Sequence, residues 1–242
     1  GESYANWPLL PQYKELNIAN GLKGIVAQEN AAYIPAFVPN GTGTMEAMNG
    51  LITGLAEVNL SPNYQQQAYK APYSTAFAPQ MRKLGYKTNL WYGGFSSWQR
   101  MKEFSLAQGF DGFYASNDLQ EQSGNAWGSD DQILFNGISA MFKDDQPSVN
   151  IILTTSNHPP FTVNIGEEGF EPSNTVGGLP DRLKTDKEVI NKLGHFWYAD
   201  KSVTEFIQKM YNQYPESIFL VTGDHADRTG NTGGAGADPA GP

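Results

Sequence analysis

The sequence predicts an α/β fold: a mainly parallel sheet sandwiched by helices, with a ligand site at its carboxyl edge. Three observations carry this. Helix, glycine and strand patterns alternate between residues 74 and 154, the signature of βαβ units. Two apolar runs, Val149-Asn150-Ile151-Ile152-Leu153-Thr154 and Ile218–Val221, read as buried parallel strands. The second leads into Thr222-Gly223-Asp224-His225, which sets a carboxylate and an imidazole just past a strand end, where open α/β sheets bind ligands. Such a pair can reach one divalent metal. The same tetrapeptide also fits an ordinary polar turn.

The elements follow in chain order. Leu16–Leu22 is a weak helix ending near Gly21 or Gly24, and Ala31–Val38 is extended. Met45, Met48, Leu51, Ile52 and Leu55 recur at helical spacing. Thr44 is then the N-cap or first residue of that helix, facing free N–H groups and the positive end of its dipole. That position suits a phosphate or a simple cap, and Thr42 competes with Thr44 for the role. Helices are expected at Ser74–Leu84, Ser97–Ala107 and Asp130–Phe142, with Asp130 and Asp131 capping the last. Strands are expected at Lys87–Tyr92 and 110–115. Residues 162–186 form a long loop, and Lys187–Tyr214 is helical in two pieces.

Composition narrows the classes. The chain has 242 residues, 39% of them hydrophobic and 12% aromatic, enough for one large domain with a sizeable core. A net charge of −9 argues against a nucleic-acid footprint and against a polybasic membrane patch. The absence of cysteine excludes disulfides, thiolate metal sites and a cysteine nucleophile. No apolar run approaches the ~18 residues of a membrane helix, and no signal peptide is evident. Residues 1–228 are expected to fold, and the Gly-rich stretch 229–242 to be a flexible tail. Both ends look cut.

Glu2, Thr44, His158, Asp224 and His225 all stand at predicted strand ends or helix starts. Carboxylates and imidazoles suit a hard or borderline divalent cation. A hydroxyl beside such a cation loses its proton more easily, so Thr44 could attack phosphorus.

An ordered set of short motifs now matters. It comprises Glu2-Ser3-Tyr4, Gly43-Thr44-Met45-Glu46-Ala47 with Leu51-Ile52-Thr53-Gly54-Leu55, Tyr92-Gly93-Gly94-Phe95-Ser96-Ser97-Trp98 and Trp127-Gly128-Ser129-Asp130. Thr154-Thr155-Ser156-Asn157-His158-Pro159-Pro160-Phe161, Tyr198-Ala199-Asp200 and Gly223-Asp224-His225 complete it. Together they resemble the extracellular domain of the lipoteichoic acid synthase-like sulfatases, phosphoglycerol transferases of the alkaline phosphatase superfamily. The resemblance covers roughly residues 1–228.

The resemblance implies roles residue by residue. Glu2, Asp224 and His225 would be metal ligands, and Thr44 a nucleophile that also touches the metal. His158 would bind phosphate or protonate the leaving alkoxide. Trp98 and Arg100 match a Trp-x-Arg element that contacts glycerol phosphate. The implied cofactor is one divalent ion: manganese, with magnesium or zinc as alternatives. The implied donor is a phospholipid head group or another phosphodiester, the acceptor an alcohol or water, and nucleic acid is not a partner. The implied location is extracytoplasmic, on a protein membrane-anchored upstream. Tyr92 departs from the pattern, standing where lipoteichoic acid synthases carry a histidine. A phosphatase, a phosphoethanolamine transferase, a sulfatase and an inactive binding fragment remain alternatives. Against the sulfatase, no Ser-x-Pro-x-Arg or cysteine nucleophile motif occurs.

Overall fold

The computed structural model describes residues 1–56, 59–119, 124–143 and 146–225. The expected tail, 229–242, lies outside them. In chain order the elements are α1 (Asn20–Val26), α2 (Thr44–Thr53), α3 (Phe77–Lys83), β1 (Lys87–Tyr92), α4 (Met101–Ala107) and β2 (Gly112–Ala115). They continue with β3 (Gly124–Asn125), β4 (Gly128–Ser129), α5 (Asp131–Met141), β5 (Ser148–Leu153), α6 (Ser173–Val176) and α7 (Lys187–Gln213). The described residues form two compact units: those of Gly1–Glu2 with Val38–Thr155, and those of Ser3–Phe37 with 156–225.

The first unit holds the parallel sheet, in the order β2-β1-β5. The chain leaves β1 to one side through α4 and returns to its other side through α5. The carboxyl end of β1 is thus a point where strand order reverses. Period-2 alternation sorts the side chains. Leu90 and Tyr92 pair in register with Phe113 and Ala115 on one side and Ile151 and Leu153 on the other. These residues join Met45, Met48 and Ile52 of α2 and Met101 and Phe104 of α4 in one core. On the opposite face, Asn89 and Trp91 both donate to Asn150 Oδ1, at 3.0 and 2.9 Å, and Trp91 stacks on Tyr114.

α2 begins at Thr44, as its apolar spacing predicts, and ends at Gly54, whose φ of +71° closes the helix in the left-handed conformation. α3 starts at Phe77, three residues later than the pattern at 74–84 suggested. Asp130 occupies the N-cap of α5 by position. Asp131 is the first residue of α5, and its buried carboxylate accepts the Thr155 N–H at 3.1 Å, which ties α5 to the end of β5.

The second unit is built on α7. This helix is continuous over 27 residues, not broken in two. Gly194 does not interrupt it because packing demands a glycine there: a Cβ would fall 2.2 Å from Ile165 Cδ1 and 2.9 Å from the Phe170 ring. α1 starts at Asn20, so Gly21 and Gly24 lie inside the helix where the sequence placed its end. The cause is tertiary. Buried Asp200 of α7 accepts the N–H groups of Gly21 and Leu22, at 2.7 and 3.1 Å, and the Tyr4 hydroxyl at 2.6 Å. Burial raises the Asp200 pKa against these hydrogen bonds, and burial together with Asp200 drives that of Tyr4 well up. The 162–186 stretch carries α6 and a 3-10 turn at Asp181–Leu183.

A further expectation fails. Ile218–Val221 is not a buried strand: it makes no strand pairing among the described residues, and Ile218 and Leu220 are 88% and 93% exposed. Only Val221 packs on the core of its unit. An apolar run becomes an inner strand only where neighbours occupy both of its edges, and described pairing of the parallel sheet stops at β1, β2 and β5.

Candidate active site

In the first unit, Glu2 is buried and its N–H donates to Thr154 Oγ1 at 3.2 Å, just past β5. The Thr44 hydroxyl donates to Glu2 Oε2 at 3.1 Å. Thr44 is the first residue of α2 and Gly43 is its N-cap, so the hydroxyl stands among the free N–H groups of the first turn. Thr42 is turned elsewhere and donates to Glu46 Oε2 at 3.1 Å. Of the two threonines, Thr44 is therefore the one that joins the carboxylate.

Trp98 packs partly buried on the first core, with its ring centroid 5.7 Å from that of Tyr92. Arg100 follows in a turn where Gln99 and Arg100 both adopt left-handed backbone, with φ of +50° and +58°. Its guanidinium lies over the Tyr69 ring at 4.2 Å and bonds Glu103 Oε2 at 2.8 and 3.0 Å. The Glu103 hydrogen bond holds the arginine firmly charged.

In the second unit, Asp224 and His225 are both buried. Asp224 Oδ1 accepts the N–H of Ser3 and of His225, each at 2.9 Å. Gly223 makes this possible, since a Cβ there would lie 2.7 Å from the Tyr4 carbonyl oxygen. Half-buried His158 has Nδ1 2.5 Å from the Pro159 carbonyl. A carbonyl only accepts, so Nδ1 carries the hydrogen and Nε2 points its chemistry elsewhere. His195 is fully buried and structural. Its Nδ1 donates to Asn191 O at 2.8 Å and its Nε2 accepts the Val163 N–H at 3.0 Å. Burial holds its pKa below the usual imidazole range.

Sequence reasoning missed Thr154, which supports Glu2, and Asn63, which supports the Arg100 turn. Thr154 lies inside a quoted motif but nothing in its spacing gives it a role. Asn63 has no local signal at all.

A parallel α/β sheet with a helix-start hydroxyl on a buried carboxylate defines a class, the α/β domains that carry a site at their strand ends. The family model described as Sulfatase matches residues 18–241, and the chain belongs to that family. It is 26% identical over 150 residues to the lipoteichoic acid synthase of Staphylococcus saprophyticus, a match covering 60% of this chain and 22% of that protein. The chain thus spans about a fifth of the curated relative's length. The lipoteichoic acid synthase LtaP from Listeria monocytogenes shares the fold, with a TM-score of 0.69 and 23% identity over 88% of this chain and 51% of that one. So does the Streptococcus pyogenes phosphoglycerol transferase GacH in complex with sn-glycerol-1-phosphate, with a TM-score of 0.56, 14% identity, and coverage of 81% and 51%.

Proposed function

We propose that this chain carries the phosphoryl-transfer site of an enzyme that moves a phosphoglycerol-type group from a phospholipid or other phosphodiester, through a phospho-threonine at Thr44. The observation that carries the reading is the Thr44 hydroxyl, at the first position of α2, donating to the buried Glu2 carboxylate. Kinship with the lipoteichoic acid synthases and the glycerol phosphate bound by GacH support the group transferred.

The donors fit a divalent cation: two carboxylates, an imidazole and a hydroxyl, with Glu2, Asp224 and His225 all buried. These three and Thr44 would hold manganese, magnesium or zinc, which when bound supplies Lewis acidity and lowers the hydroxyl pKa. Thr44 Oγ1, oriented by Glu2, forms the new bond to phosphorus while the bond to the leaving alcohol breaks. The threonine proton moves toward Glu2, and His158 gives one to the departing alkoxide. The first-turn N–H groups of α2 and the Arg100 guanidinium offset the charge on the phosphoryl oxygens. An acceptor alcohol or water then forms a bond to phosphorus while the Thr44 Oγ1–P bond breaks; His158 takes the acceptor's proton and Glu2 returns its own to Thr44. Work on a phospholipid implies an extracytoplasmic, membrane-attached setting. Among the described residues no helix is long and apolar enough to cross a membrane.

Thr44→Ala tests this. With Mn2+ present, the chain is assayed on a glycerophosphodiester, a phosphomonoester and a sulfate ester. Phosphodiester turnover is expected to dominate, and to fall by about a thousandfold or more in Thr44→Ala while Mn2+ uptake persists. Unchanged turnover removes Thr44 from the chemistry, and a preference for the sulfate ester transfers the site to sulfate hydrolysis.

A further inference from the structure

The turn that presents Arg100 is strained. Two consecutive residues with side chains, Gln99 and Arg100, hold left-handed backbone, a conformation that side-chain-bearing residues rarely adopt. Such a turn persists only where its surroundings over-determine it. Here they do so through a buried amide relay. Asn49 of α2 donates from Nδ2 to Asn63 Oδ1 at 3.0 Å, and Asn63 Nδ2 donates to the Gln99 carbonyl at 2.9 Å. Both asparagines are 0% exposed. The Asn63 backbone carbonyl accepts the Tyr69 hydroxyl at 2.5 Å, and the Tyr69 ring is the one on which Arg100 rests. Asn63 thus grips the turn by its backbone and the arginine by its platform, and it is fastened to the helix that begins with Thr44.

We propose that Asn63 is a positioning residue for the phosphate-binding turn: its side chain locks Gln99 and Arg100 in the left-handed form and sets Arg100 at a fixed place relative to the start of α2. This rests on the reading of Trp98 and Arg100 as contacts to glycerol phosphate. Loss of the Asn63 donor frees the Gln99 carbonyl, the turn relaxes toward ordinary backbone, and Arg100 leaves its place.

The test uses the 242-residue chain with Mn2+ and sn-glycerol 1-phosphate as probe, read by calorimetry. Asn63→Asp, as the carboxylate, keeps the acceptor for Asn49 and replaces the donor to Gln99 by a charged acceptor facing its carbonyl; Asn63→Leu removes both hydrogen bonds without adding a charge. Each is expected to weaken probe binding about tenfold with Mn2+ uptake unchanged, one buried hydrogen bond's effect. Adding Gln99→Gly, which takes positive φ without strain, is expected to restore binding to within about threefold, a rescue that a purely structural asparagine does not show. Wild-type affinity in Asn63→Asp, or failure of the glycine to rescue, overturns the proposal. If the wild-type chain takes up no probe, the substrate reading falls instead. The relay is then judged on hydrogen exchange across residues 98–104, expected to be faster in Asn63→Asp and restored by Gln99→Gly. Unchanged exchange overturns it.

Discussion

Thr154 shows how a single side chain can prepare a site without touching a substrate. Its hydroxyl takes the Glu2 N–H, so the carboxylate starts from a fixed backbone. Thr154→Val keeps the shape and leaves that buried N–H unmatched, a cost of about 1–3 kcal/mol. Thermal unfolding should show this loss, and titration with Mn2+ a weaker uptake. Thr154→Ser should behave as wild type in both. His195 makes the matching case for stability. Its folded pKa is depressed by burial, so the unfolded chain binds the proton more readily. Its contribution is therefore complete above the ordinary value of about 6.5 and is lost as pH falls through and below it. Chemical unfolding at pH 7.5 and 5.5 should show the wild type losing stability on acidification. His195→Leu should be less stable at pH 7.5, by about 1–3 kcal/mol for the orphaned Val163 N–H, and should lose less between the two pH values.

Elements were legible where periodicity reports local geometry and illegible where a neighbour decides. The α2 stripe, β1, β5 and α5 came out within a residue or two of their patterns, because amphipathic spacing and burial coincide there. α7 did not, because glycine propensity speaks for a break and packing against Ile165 and Phe170 overrules it. Gly194→Ala separates the two forces. Propensity alone predicts a gain of about 1 kcal/mol, whereas overpacking predicts a loss of about 1–3 kcal/mol; the denaturation midpoint should fall. Leu220 tests the other discrepancy. A core leucine cut to a small residue costs about 2–5 kcal/mol, but an exposed one changes stability by under about 0.5 kcal/mol. Leu220→Ser should leave the unfolding midpoint of this chain in place, in keeping with its 93% exposure.

At the scale of the whole molecule, each unit carries its own apolar core, one around Leu90 and Phe104 and the other around Leu16 and Phe196. A cation bound only by the folded chain raises its stability by about 2.7 kcal/mol at a hundredfold excess over Kd. Mn2+ should therefore raise the melting temperature of the wild type, a chelator should reverse it, and Asp224→Asn should abolish most of the shift. A melting temperature indifferent to Mn2+, Mg2+ and Zn2+ alike would remove the metal from the proposal. Read alone, the amino-acid order determined the α/β class, the helix that starts at Thr44 and the residue types a phosphoryl-transfer site needs. Those follow from local periodicity and side-chain chemistry, which travel with the sequence. Tertiary structure alone decided that Thr44 and not Thr42 meets Glu2, that Asp200 sets the start of α1, and that Asn63 holds the Arg100 turn. Each depends on a hydrogen bond between residues far apart in the chain, and no spacing along a sequence encodes which distant donor finds which acceptor.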